Sequence, residues 1–282
     1  MKKPTIYFWQ RIVTPHMAWL ASELANLNCN VTYIAEEIMS GDRIALGWLA
    51  PDLGNAKLVL VSDIGDIKRV LADAEQGSIH VCQGIRSNGL VSDAQKEINR
   101  RGFRHWVVME TVDDTGWLGV LKRFEYRRLF RLADGIIERV LAIGRDTPQW
   151  LVDRGLHCDK AFPFAYFLQD SRDKEFIDKV DGACFRFAFV GQFIPLKRLD
   201  WLITSLAELS GQNFELVVIG AGPQESLLRS QAVKVLGDRL NWIGRLPFNE
   251  VRAHMSSADC LVLPSLYDGW GAVVSEALMC GT

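Results

Sequence analysis

Two acids eight positions apart, Asp268 and Glu276, bracket a glycine loop in PSLYDGWGAVVSEALMCGT, residues 264–282. Gly269 and Gly271 have no Cβ, so the backbone there can come close to a ligand. The residues that follow are apolar and compatible with a helix. A helix N-terminus presents unpaired N–H groups and partial positive charge, which suits an anion such as a diphosphate. Glu276 falls about one and a half turns into that helix. A carboxylate there can accept hydrogen bonds from a vicinal diol such as a ribose, and Asp268 can do the same for a sugar hydroxyl. Glu276 lies among Ala272, Val273, Val274, Ala277 and Leu278. An acid in that company faces either solvent or a polar site.

Two further loops share this character, VGQFIPLKR with Gly191, Gln192 and Lys197, and IGAGPQE with Gly222. Lys197 can supply a cation to balance a diphosphate, or it can be a solvent-facing residue at a helix start. IGAGPQE is not a dinucleotide fingerprint, because the third glycine of GxGxxG would fall on Glu225. In the first half of the chain, Arg11 and His16 follow the first apolar run and Glu110 ends another, VVME. Each fits either a cleft or a structural role, Glu110 meeting an acceptor or holding the next loop. Asp113 and Asp114 are adjacent acids in a loop and read as solvated rather than as metal ligands.

The elements that position these residues alternate. Thr5–Trp9, Val31–Ala35, Lys57–Ser62, Ser78–Cys82, His105–Met109 and Ile136–Ala142 read as strands. Between them lie helical patterns, the first opening at Thr14 and Pro15 as N-cap and first helical residue. A second alternation gives strands at Phe185–Gly191, Glu215–Gly220, Leu240–Gly244 and Asp259–Pro264, each followed by a helix. The expected architecture is α/β with two Rossmann-like, doubly wound domains facing a cleft. The first covers residues 1–170, a charged linker 171–184, and the second 185–282. In open parallel sheets ligands bind where strands run into helices, and that is where the three loops fall.

The chain has 282 residues, is 49% hydrophobic and 23% charged, and has a net charge of −2. The first 170 residues carry equal numbers of basic and acidic side chains. That balance argues against nucleic acid as a partner. Six cysteines without a CxxC pair read as reduced and mostly buried, as in a cytoplasmic protein. No apolar run approaches the ~18 residues of a spanning helix. LKRFEYRRLFRLAD mixes Arg127, Arg128 and Arg131 with Leu121, Phe124, Leu129 and Phe130. It is expected to be a core-facing helix with a solvated basic side. The alternative is peripheral contact with an anionic membrane, at its inner face.

FVGQFIPLKRLDWL, LVVIGAGP, LNWIGRLP and ADCLVLPSLYDGWGAVVSEAL, in that order, resemble glycosyltransferase family 4, retaining enzymes of the GT-B fold (glycosyltransferase group 1). The likeness covers essentially all of residues 185–282 and includes the family's acid, seven residues, then Glu. HMAWLASELANLNCNVTYIAEE and LADGIIERVLAIGRDTPQWLVDRG resemble the family more loosely. The resemblance implies a nucleotide-sugar donor on the second domain, a saccharide or lipid-linked acceptor on the first, and no metal or other cofactor. It implies Lys197 on the diphosphate, with backbone N–H groups of Trp270, Gly271, Ala272 and Val273. Glu276 would hold the ribose, Asp268 the transferred sugar, and Arg245 and Leu246 would lie beside the base. The implied role is hexosyl transfer in surface polysaccharide or glycan biosynthesis. A GT-B sugar-nucleotide epimerase and a donor-binding module without turnover are the alternatives.

The sequence departs from the family pattern in four places. Asp268 replaces the usual Glu, and Gln192 the usual basic residue. QRIVTPH stands where a glycine loop is common. A family histidine falls on Cys82, with His80 two residues earlier as an acceptor-side candidate. Family members continue beyond this point with a strand and two helices, so the chain is expected to be a fragment with weak donor binding.

Overall fold

The computed structural model of the protein describes residues 3–41, 44, 50–86, 88–168, 184–209 and 211–282. These fall into two compact units, one of residues 3–40 and 50–168, the other of residues 41, 44, 184–209 and 211–282. Apart from Cys184, the linker expected over 171–184 lies outside the described residues.

The first unit is a parallel sheet of β1 (Thr5–Ile12), β2 (Asn30–Glu37), β3 (Lys57–Leu60), β4 (Ile79–Gln83), β5 (Arg104–Glu110), β6 (Arg139–Ile143) and β7 (Ala161–Phe164). Their order is β3-β2-β1-β4-β5-β6-β7. The topology reverses between β1 and β4, where Trp9 pairs with Cys82 on one side and Ile34 on the other. The connecting helices are α1 (Pro15–Asn26), α2 (Ile64–Ala72), α3 (Leu90–Arg100), α4 (Gly116–Ala133) and α5 (Thr147–Val152). Local chemistry sets their starts. Pro15 opens α1 after an extended Thr14. At α2 the Asp63 carboxylate accepts the Asp66 N–H at 2.9 Å, while Asp66 accepts from the Ser62 N–H and hydroxyl at 2.8 Å.

Strands covered on both faces by helices are apolar on both faces, and β1, β2 and β5 are buried that way. Trp9, Ile34, Ile67, Leu71, Val91 and Ile98 form one core cluster. Val107, Tyr126, Phe130, Val140, Trp150 and Leu151 form another. Of the six cysteines only Cys82 and Cys280 are buried, fewer than composition led us to expect, and all are free thiols.

The second unit has β8 (Phe185–Val190), β9 (Phe214–Ile219), β10 (Leu240–Gly244) and β11 (Cys260–Leu261), parallel and ordered β10-β9-β8-β11. Its helices are α6 (Leu199–Ala207), α7 (Glu225–Leu236), α8 (Phe248–Ser256) and α9 (Ala272–Met279). The reversal lies between β8 and β11. The strand expected over 259–264 shrinks to two residues, because only Cys260 and Leu261 pair with β8 (the Val262 N–H adds a bond to Ala188 O at 2.8 Å). Phe189, Phe193, Ile203, Leu216, Val218 and Leu228 form its core.

Candidate functional site

In the second unit the loops that leave β8 and β11 flank the reversal point, and side chains tie them together. After β8 the chain makes a 3-10 turn, Pro195–Lys197, ending at Arg198 in the left-handed region with φ 49°. That turn brings Lys197 to the β11 loop, where its Nζ lies 2.5 Å from Asp268 Oδ2. Both side chains are three-quarters or more covered, at 22% and 25% exposure. The other carboxylate oxygen, Oδ1, accepts the Gly271 N–H at 2.8 Å. The Leu266 N–H donates to Leu196 O at 2.9 Å and adds a backbone tie. Gly271 has φ 70° and caps α9, a conformation costly for any residue with a Cβ. Lys197, Asp268, Gly269, Trp270, Gly271, Ala272 and Val273 thus share one end of the sheet. One expectation is corrected here: the Gly271 amide is engaged by Asp268, so it is not among the helix-end amides facing outward.

The loop after β9 gives its glycines a packing reason. A Cβ on Gly222 would lie 2.6 Å from Phe193 O and 2.7 Å from Phe193 N. A Cβ on Gly220 would lie 1.9 Å from Gly191 O. Backbone bonds lace the same segments, Phe193 N to Ala221 O at 3.0 Å and Gln224 N to Phe193 O at 3.1 Å. Gly222, expected beside the donor, therefore serves first as a close-approach residue between two loops. Gln192 is exposed on the β8 loop. Arg245, exposed, and Leu246, half-buried, follow β10, with β9 between that strand and β8.

Glu276 is half-buried on α9, among neighbours that include the apolar cluster of Met255, Ala277 and Cys280. Burial pushes its carboxyl up to about 7, with the Arg252 charge opposing the shift. Of the two poles that sequence allows for this acid, solvent or a polar site, the structure excludes full exposure.

In the first unit the Tyr33 hydroxyl steadies the chain after β1. It donates to Ile12 O at 3.2 Å and accepts the Thr14 N–H at 3.3 Å. This holds QRIVTPH where a glycine loop was absent. His16, in the first turn of α1, stacks on Tyr166 with centroids 4.6 Å apart. The Tyr166 hydroxyl donates to Glu110 Oε1 at the end of β5. His16 and Glu110 are thus brought together by a residue that sequence reasoning missed. The Arg11 backbone N–H donates to Gln83 at 3.2 Å, and its side chain comes within 4.0 Å of Glu36. Glu36 in turn accepts the Leu90 N–H at 2.7 Å, at the start of α3.

His80 does not join this group. It is fully buried. The Trp9 indole N–H donates to Nδ1 at 3.1 Å, Nε2 meets the Ser78 hydroxyl at 3.0 Å, and Tyr7 stacks on the ring at 4.8 Å. Burial, with the nearby His105, lowers its pKa to about 3. It is a core residue, and its acceptor-side assignment is withdrawn on that ground. Asp113 is engaged by Thr115 and Asp114 by Arg154, as loop and ion-pair residues. Among the described residues, His157, Cys158 and Asp159 alone group three metal-capable side chains, all exposed on one turn.

Comparison with known proteins finds similar sequences and folds. Residues 171–282 match the family described as glycosyl transferases group 1. A 2-deoxystreptamine glucosyltransferase of Streptomyces kanamyceticus is 33% identical over 97 residues, 33% of this chain and 25% of that protein. An uncharacterized glycosyltransferase of Methanocaldococcus jannaschii is 24% identical over 209 residues, 73% of this chain and 49% of that protein. The chain thus spans between a quarter and half the length of these curated relatives. In structure it is similar to Anabaena Alr3699/HepE, solved with UDP and glucose. The TM-score is 0.65 at 12% identity, over 99% of this chain and 79% of that one. Residues 171–282 thus match the group 1 glycosyl transferases, and the two parallel-sheet units have the fold of GT-B glycosyltransferases.

Proposed function

We propose that the chain is the donor-binding and acceptor-side part of a retaining glycosyltransferase. It takes a hexose-type sugar from a nucleotide sugar to a saccharide or lipid-linked acceptor, in surface polysaccharide or glycan assembly. It acts in the cytoplasm and at the membrane surface, without a metal. The observation that carries this reading is the Lys197–Asp268 contact across the β8/β11 reversal, beside the Gly271 cap of α9. Loss of a nucleoside diphosphate leaves negative charge on the diphosphate. In this reading Lys197 and the amides of Ala272 and Val273 at the start of α9 stabilise it, and groups already in place need no reorganisation. Glu276 holds the ribose, Asp268 the transferred sugar, and Arg245 and Leu246 flank the base. In the first unit His16, Glu110 and Arg11 face the acceptor.

A panel of labelled nucleotide sugars tests this. Release or transfer of labelled sugar supports the proposal. A 2-epimer of the donor would replace it with the epimerase, and saturable binding with no turnover would reduce it to a binding module.

A further inference from the structure

The helix α4 has an outer face that the core does not explain. Tyr126 and Phe130 are buried, so they mark its inner side. Trp117, Val120, Leu121 and Phe124, at i, i+3, i+4 and i+7, share one stripe pointing away. They are 79%, 56%, 65% and 73% exposed. Single exposed apolar residues are ordinary, but a contiguous patch with an aromatic at each end marks an interaction surface. The expected basic side is exposed, but Leu121 and Phe124, expected on a core-facing helix to be buried, are exposed as well.

The same stripe continues with Arg127, Arg128 and Arg131, all exposed. Among the described residues no carboxylate pairs with them. The single acid of the helix, Glu125, is paired with Arg86. Lys122 and Arg123 are turned back onto the carbonyls of Asp113 and Asp114, at 2.7 and 2.5 Å. The outer stripe is therefore an apolar half followed by a cationic half. Apolar side chains with aromatics suit the headgroup–acyl boundary, and clustered arginines suit anionic headgroups. A helix after a parallel strand starts at the strand's C-terminal edge. The apolar turns therefore begin on the edge of the sheet that carries Glu110.

We propose that the outer face of α4 docks the first unit on an anionic lipid bilayer, with Trp117, Leu121 and Phe124 entering the interface and Arg127, Arg128 and Arg131 on the headgroups. This rests on the peripheral-membrane part of the reading above and not on its donor chemistry. Cosedimentation with vesicles tests it without any sugar nucleotide, so its failure would leave the transferase reading standing.

The 282-residue chain should sediment with phosphatidylglycerol–phosphatidylcholine vesicles at low salt and stay free of pure phosphatidylcholine. Each arginine near an anionic surface contributes about a fivefold change in partitioning. Arg127→Gln/Arg128→Gln/Arg131→Gln should then lower it on the order of 100-fold, and Trp117→Ser/Phe124→Ser by at least about tenfold. Both variants change exposed residues and should keep the parent's circular dichroism and melting temperature. Three results would overturn the proposal: no binding to the anionic vesicles, equal binding by parent and variants, or a lipid-free dimer that Trp117→Ser/Phe124→Ser dissolves. The last would make the face a self-association surface.

Discussion

Asp268 divides its carboxylate between two tasks, and the division decides what substitution there should do. Oδ1 holds the Gly271 amide that caps α9, and Oδ2 holds Lys197. Asparagine can keep the first contact through its carbonyl oxygen but loses the charge that attracts Lys197. If Lys197 meets a diphosphate, Asp268 is an anion competing for the same cation. Partly exposed pairs of this kind contribute up to about 1 kcal/mol. Asp268→Asn should therefore tighten UDP binding about two- to fivefold while slowing sugar transfer, since the proposed sugar contact would be lost. Titration calorimetry with UDP alone separates the two effects. Unchanged or weaker UDP binding would mean that Asp268 does not restrain Lys197. At this scale the sequence was informative about acids and glycines, whose types are unusual beside apolar strands. It was silent about Tyr166. An aromatic in FPFAYFL reads as core, and only the folded path after β7 brings its hydroxyl to Glu110.

The elements were largely legible, because apolar runs between turn residues mark buried parallel strands wherever they occur. The exceptions have physical causes. β7 was missed because Pro163 interrupts its pattern, and proline is tolerated there because β7 is an edge strand. β11 was overextended because LVLP is apolar throughout, although pairing stops near its start. His80 was misjudged because a histidine near a strand end does not show which side it faces. At the β8–β9 junction the elements make a firm prediction. The Gly222 position is bounded by backbone rather than by a side chain that can swing away. Gly222→Ala should destabilise the second unit by about 1–3 kcal/mol, the usual cost of overpacking. A denaturant melt reads this directly. Full retention of stability with loss of UDP affinity would instead make Gly222 a ligand-facing residue.

At the scale of the whole molecule, the two units carry buried titratable groups of opposite sign. In the first, burial lowers His80 to about 3 and His105 to about 4, so both are neutral in the fold. The unfolded chain takes up these protons near pH ~6.5. Stability from the neutral imidazoles is thus present above that pH and is lost as pH falls towards the folded values. Glu97, lowered to about 2 by Arg100 and Arg101, adds a loss in the same direction at lower pH. In the second unit Glu276 is raised to about 7 by burial. Its contribution is complete below the unfolded value of ~4.3 and is lost as pH rises through about 7. Between pH ~4.5 and ~6.5 the units should respond oppositely, the first losing up to about 2.7 kcal/mol per pH unit for two protons. Scanning calorimetry at about pH 7.5 and about pH 5 should show one transition moving down and another moving up. Glu276→Gln should flatten the second without changing the first. A first transition that stays fixed on acidification would show that the two histidines are not held neutral. A second that shifts equally in the Gln variant would show that Glu276 is not the group responsible.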